Sequence, residues 1–246
     1  MQRKKVAHIL NKRSGNEKSS FFSEKALKRN NIILFAAIFI LIFLRPIVSS
    51  IESSRVIFSA SLSLLIISAV SSLDFNKKKL VRLTYAALIS LPLIWLDFFV
   101  SSLAVQLISF FVQIIFFIYI TYSMIIHVAR EKNVTATLIL NAINSYILIG
   151  IVFALLFLLA EVIYKFLNIN VPTINFGYTN SPTLFDYIYF AFITMTTVGY
   201  GDASPAVPLT KSLAMLTAIT SQLYLTILVA MLVGKFLSNE KNRTKK

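Results

Sequence analysis

Cysteine is absent from the 246 residues, and histidine occurs only twice, at His8 and His127. The first absence excludes disulfides, thiolate metal sites and cysteine nucleophiles. The second leaves almost nothing from which a histidine metal cluster or a hydrolase triad could be built, and nothing in the chain points to an enzyme. Acidic residues are few: 10 Asp and Glu stand against 24 Lys and Arg, for a formal net charge of +14. Basic residues are themselves missing from the middle of the chain, with no lysine or arginine between Arg82 and Arg130. What is plentiful is apolar. Hydrophobic residues make up 57% of the chain and the mean hydropathy is +0.77, which is too high for a soluble domain of this length. A charge of +14 in a soluble protein would suggest nucleic acid. Here it sits at the ends and in loops, so a membrane explains it and no nucleic-acid partner is expected.

A spanning helix needs about 20 mostly apolar residues. Six runs qualify: 31–48, 56–73, 83–100, 103–126, 145–166 and 208–237. The first could be read as a signal peptide, but its long basic leader and the lack of a small-residue cleavage site argue against that. The third carries Asp97, which should be neutralised or paired, with Arg45 or Arg55 as candidate partners or with snorkelling to the interface as the alternative. Lysine and arginine favour the cytosolic side. With the N-terminus inside, the inner segments 1–30, 74–82, 127–133 and 235–246 hold 9, 4, 2 and 5 basic residues, 20 of the 24. The opposite orientation reverses that ratio. Both termini are therefore expected in the cytoplasm of a multi-pass protein of the cell membrane. The basic leader (Arg3, Lys4, Lys5, Lys12, Arg13) is a candidate for contact with anionic lipid, or else a solvated tail. The few residues after the sixth run leave no room for a cytosolic ligand-binding domain.

Between the fifth and sixth runs lies a loop containing Thr194-Met195-Thr196-Thr197-Val198-Gly199-Tyr200-Gly201-Asp202. These nine positions resemble the signature of the potassium channel family, whose filter pentapeptide is the standard case of a carbonyl-lined pore. The resemblance implies that Thr197, Val198, Gly199, Tyr200 and Gly201 form a selectivity filter, with K+ held at Thr197 to Tyr200, and that the chain works as a homotetramer. The chemistry of such a filter is simple. A dehydrated cation needs a cage of oxygens, and successive backbone carbonyls supply them only if the strand adopts dihedrals that include positive φ. Gly199 and Gly201 allow this. One chain gives one carbonyl per ring, so a cyclic homo-oligomer is required. No cofactor is implied beyond the permeant ion.

Irregular backbone at membrane depth must be buried in protein or line water. A short re-entrant helix over 183–196 would support it, opened by a capping box of Thr183 with Asp186, its C-terminal partial negative charge aimed at the pore. The resemblance assigns filter-supporting roles to Asp202, Tyr189, Phe190, Thr194, Thr196 and Glu161. Tyr189 would hydrogen-bond Asp202, and Tyr200 would pack outward against Tyr189 and Phe190. Glu161 would brace the pore loop or else pair with Lys165. One departure stands out: some family members carry an acid where this chain has Ile193.

The sixth run should line the inner cavity, with Gln222, Leu225 and Val229 on one face. Ser221 stands where many family members have a glycine hinge and is the hinge candidate, whereas the one glycine of this run is Gly234 near its inner end. Residues 135–146 read either as an interfacial linker helix or as a simple extension of the fifth span. The sequence thus predicts an all-α membrane protein of six transmembrane helices with a re-entrant pore helix and filter loop between helices 5 and 6. Its organisation is a basic cytosolic segment (1–30), a four-helix domain like an uncharged voltage-sensor-like domain (31–132), a pore domain (133–237) and a short basic tail (238–246). A silent or regulatory subunit and a less selective cation channel are the alternatives within this class. A secondary transporter would show paired repeats and broken helices, and neither is seen.

Overall fold

The computed structural model describes residues 24–48, 54–72, 77–100, 102–131, 133–179 and 181–243, with the side chains of 24, 44–48, 54, 55, 58, 77–79, 97, 98 and 239–243 outside the description. The basic leader and the side chains of Asp97, Arg45 and Arg55 lie outside the described residues. Seven helices are described: α1 (Glu24–Val48), α2 (Ser54–Ser71), α3 (Lys77–Val100), α4 (Leu103–Arg130), α5 (Ala136–Phe166), α6 (Leu184–Met195) and α7 (Pro208–Arg243). Two three-residue strands, β1 (Ile174–Phe176) and β2 (Ala203–Pro205), pair antiparallel with Asn175 opposite Ser204. Among the described residues, α1, α4, α5 and α7 are long and apolar enough to cross a membrane, while α2, α3 and α6 have shorter apolar stretches.

Local chemistry sets the helix limits. Proline opens α7 at its first position, where a missing N–H costs nothing. The α5 helix starts at the N-cap Thr135, whose hydroxyl accepts from the Leu138 N–H at 3.2 Å. It ends with Asn168 in the left-handed region (φ 57°), and the Ile169 N–H closes on the Tyr164 carbonyl at 2.9 Å, a Schellman-type stop. Between these caps α5 is unbroken, so 136–146 is the extension of the fifth helix and not a separate linker. The serines of α2 do not break it, because their hydroxyls bond back into their own helix: Ser61 to the Ile57 carbonyl at 2.8 Å and Ser63 to the Ser59 carbonyl at 2.7 Å.

In an apolar solvent helices gain little from burying more apolar surface, so packing and interhelical hydrogen bonds hold them together, each bond contributing about 0.6 kcal/mol on average. The front helices use amides for this. Asn30 and Asn31 of α1 donate to the Ser71 and Ser72 carbonyls at the end of α2 (2.9 and 2.7 Å), and Asn144 of α5 donates to the Asn31 carbonyl at 3.1 Å. Packing is continuous from these helices into the pore half: Leu34, Leu65, Leu83, Phe117, Leu148, Phe157 and Tyr187 belong to one buried cluster.

Candidate pore site

The α6 helix is 12 residues long, about 18 Å, which is too short to cross a bilayer. The Asp186 carboxylate accepts both the Thr183 N–H and the Thr183 hydroxyl at 2.6 Å, capping the helix's first turn and adding negative charge where the dipole is positive. Its inner face, Tyr187, Ile188, Ala191 and Met195, is buried. Thr194 and Thr196 return their hydroxyls to the Phe190 and Phe192 carbonyls at 2.7 Å each, so both threonines serve the pore helix.

The chain then reverses. The N–H groups of Val198 and Gly199 both point back to the Ile193 carbonyl, at 3.0 and 3.2 Å. No cis peptide is present among the described residues. In a trans peptide the C=O points opposite to the N–H across the same plane. The carbonyls of Thr197 and Val198 are therefore turned away from the pore helix. Left-handed φ recurs at every second residue: Thr197 (60°), Gly199 (51°) and Gly201 (85°). Alternation of right- and left-handed residues gathers N–H groups on one side of a strand and leaves carbonyls on the other. The glycines were expected to do this; Thr197 was not. A non-glycine residue here costs about 1–2 kcal/mol, and its N–H bond to the Thr194 carbonyl at 3.1 Å helps hold it.

The outer end is clamped by three interactions. The Tyr189 hydroxyl donates to the Asp202 carboxylate at 2.7 Å. The Gly177 N–H donates to the Asp202 carbonyl at 2.8 Å. The β1–β2 pair follows directly. Tyr178 stacks edge-on against Tyr189 at 6.2 Å. Burial, then the Asp186 carboxylate, then Asp202 push the Tyr178 phenol up, so it stays a neutral donor beside two carboxylates. Replacing Tyr189 with phenylalanine removes only the Asp202 bond. Because that bond is exposed, the expected outcome is an unchanged fold and a severalfold shift in the Na+/K+ permeability ratio, read from reversal potentials.

Phe190 is buried against Phe157 of α5, ring centres 4.9 Å apart. Tyr200 is 74% exposed in the single subunit. Glu161 meets both expected partners. One carboxylate oxygen accepts the Thr173 N–H (3.1 Å) and hydroxyl (2.6 Å), and the other pairs with Lys165 at 3.3 Å. The Thr173 carbonyl in turn accepts from Thr210 of α7 at 2.6 Å. Ser221 lies inside an unbroken α7, and its hydroxyl donates to the Met195 carbonyl at 2.9 Å. It ties α7 to the C-terminal end of α6. Alanine there removes a buried bond worth about 1 kcal/mol, and a melting temperature lower by a few degrees is the expected outcome in a thermal unfolding scan. Gln222, Leu225 and Val229 are exposed in the subunit.

Sequence reasoning missed Gly150 of α5. A Cβ there would lie 2.7 Å from the Met195 sulfur and 2.8 Å from Phe192 Cζ. The pore-helix end thus sits in a seat made by Gly150 on one side and Ser221 on the other. Its signal was a glycine inside an otherwise apolar helix.

Among the described residues no group of His, Cys, Asp or Glu could hold a metal ion. Residues 151–238 match the family model described as an ion channel, a stretch that covers the second half of α5, all of α6, the loop after it and most of α7. No curated protein and no solved structure matches the chain.

Proposed function

We propose that this chain, whose second half carries an ion-channel domain in a membrane protein, is a potassium-selective channel subunit that assembles as a homotetramer around Thr197 to Gly201. The observation that carries the reading is the alternating left-handed backbone at Thr197, Gly199 and Gly201, with the N–H groups of Val198 and Gly199 both on the Ile193 carbonyl. In a ring of four copies the outward-turned carbonyls would replace the hydration shell of K+, with the Thr197 hydroxyl at the inner mouth. The C-terminal end of α6 would favour a cation in the cavity, which Gln222, Leu225 and Val229 would line.

In this reading six helices cross the membrane. The α2 helix has 18 residues, about 27 Å, close to the hydrocarbon thickness of about 30 Å. The α6 helix dips in from the outer side and returns through the filter. The termini face the cytoplasm and the protein resides in the cell membrane. The purified chain in liposomes should pass K+ well above Na+ in a flux assay. No flux from the chain alone would favour a silent subunit, and equal flux a less selective cation pore.

Steep voltage gating is not expected. Moving one charge across the membrane is worth about 2.3 kcal/mol per 100 mV, and steep gating takes about 3–4 charges per subunit. On α4 the only basic side chains are His127 and Arg130, in the last turn. Its buried polar residues include the neutral Ser109, Gln113 and Thr121, with Gln113 donating to Ser109 at 2.8 Å. The conductance–voltage curve in symmetric K+ should be shallow. A sigmoid with several charges per subunit would defeat this reading.

A further inference from the structure

Six-helix subunits can assemble in two ways. The front half of each chain can lean on its own pore half, or it can reach across to a neighbour's. We propose that here each front half packs on the pore half of its own chain, and that the surface meeting neighbouring copies is confined to the pore half. The proposal rests on the tetrameric pore reading.

The connection between α4 and α5 decides the reach. It runs from Glu131 to Thr135, five residues between the end of α4 and the start of α5. Fully extended, five residues span about 17 Å. No separate helix is available to lengthen it, because α5 begins at Ala136 and continues to Phe166 without a break. A front half tethered this tightly stays beside the α5 to which it is joined.

The seam between the halves is closed within one chain by three kinds of contact. Near the start of α5, Asn144 donates to the Asn31 carbonyl of α1 at 3.1 Å, and both asparagines are fully buried. Along the helices, Phe117 and Ile120 of α4 share a core with Leu148 and Leu155 of α5. Close to the far end of α7, the Lys235 ammonium donates to the Val128 and Ala129 carbonyls at 2.7 and 3.1 Å. These belong to the last turn of α4, where the helix carries its negative end, so a lysine is the suited cap. Undocking the front half would leave the buried Asn144 amide without its acceptor.

What remains open is α7. Only 17% of its apolar span is buried within the subunit, against 67% for α5. Its buried residues Thr217, Ser221 and Leu228 fall on one side. The other sides expose Ile219, Leu223 and Ile227 together with Gln222 and Thr226. Exposed amides and hydroxyls at membrane depth do not suit lipid. The cavity takes Gln222, and a second copy of this chain, which the closed ring supplies on each side, takes the rest.

The cysteine-free chain makes the test clean. An Ala129→Cys/Lys235→Cys double variant is assembled, its native mass measured, and its thiols joined with a short bis-maleimide before a denaturing gel. The expected product runs at monomer size from a tetrameric particle. Tetramers mixed from the two single variants should give no dimer band. A dimer band from those mixed particles, or a ladder from the double variant, overturns this inference and leaves the pore reading standing. A particle that never exceeds monomer mass overturns the tetramer on which both rest. Should the double variant fail to assemble, an Ala129→Cys/Leu232→Cys pair keeps Lys235 and is read by the same two criteria.

Discussion

Alanine at Gly199 should abolish discrimination between K+ and Na+, or abolish conduction, while the subunits still assemble. Nothing lies within 4 Å of the position its Cβ would take, so the effect is not a clash. It is conformational: Gly199 sits at φ +51°, where a side chain costs about 1–2 kcal/mol. Four copies around a ring make that about 4–8 kcal/mol on the same estimate, enough to tip the strand to a relaxed backbone. A relaxed φ rotates the adjoining peptide plane and takes its carbonyl out of line. The comparison is Thr197, which already bears a side chain at φ 60°. Thr197→Gly relieves strain and removes a hydroxyl, so it should keep the carbonyl direction and conduct. Ion flux into liposomes under K+ and Na+ gradients reads both variants. Selectivity unchanged in Gly199→Ala would remove the filter assignment.

That contrast also says where the sequence is informative. A filter needs left-handed residues at alternate positions, and two of its three are glycines, which announce themselves. Thr197 does not, because nothing in a threonine marks left-handed backbone. It is held there by the turn off the pore helix, through its bond to the Thr194 carbonyl. The helix ends were legible for the same kind of reason. Thr183 with Asp186 and Pro208 are local chemistry, readable within four residues. The Tyr189–Asp202 bond followed from the family resemblance, and the structure has it at 2.7 Å.

Long-range packing was less legible. Phe190 carries no mark that says whether its ring faces the filter or Phe157. Asn31 and Asn144 are 113 residues apart and meet only once α1 has packed on α5. Residues 136–146 are polar enough to read as an interfacial linker, yet they bury Leu138, Asn141, Ala142, Asn144 and Ser145, because α4, α1 and α7 cover them. Amphipathic patterning assumes one wet face; here protein covers part of the face that pattern assigns to water. Ser221 was read through the family's glycine hinge, whereas in this chain its hydroxyl finds the Met195 carbonyl.

Gly150 yields the other large prediction, and there two effects compete. A glycine inside a helix costs about 0.5–1 kcal/mol relative to alanine, so propensity alone makes Gly150→Ala stabilising. Packing opposes it. The new methyl would stand 2.7 Å from the Met195 sulfur, 2.8 Å from Phe192 Cζ and 3.0 Å from Phe192 Cε2. These are the ends of side chains, which can yield, but Met195 is fully buried and its carbonyl is pinned by Ser221 at 2.9 Å. Overpacking of such a site costs about 1–3 kcal/mol, which exceeds the propensity gain. The strain falls on the pore-helix end, one residue from the Thr196–Thr197 turn into the filter. Gly150→Ala should therefore lower K+ flux severalfold, and Gly150→Val, with two further methyl groups, should remove it. Met195→Ala in the Gly150→Ala background vacates the space the methyl needs, and flux should partly return. That rescue separates a displaced pore helix from a general loss of folding, which a smaller residue at 195 would only worsen. Wild-type flux from Gly150→Val would mean that the pore helix does not depend on this seat.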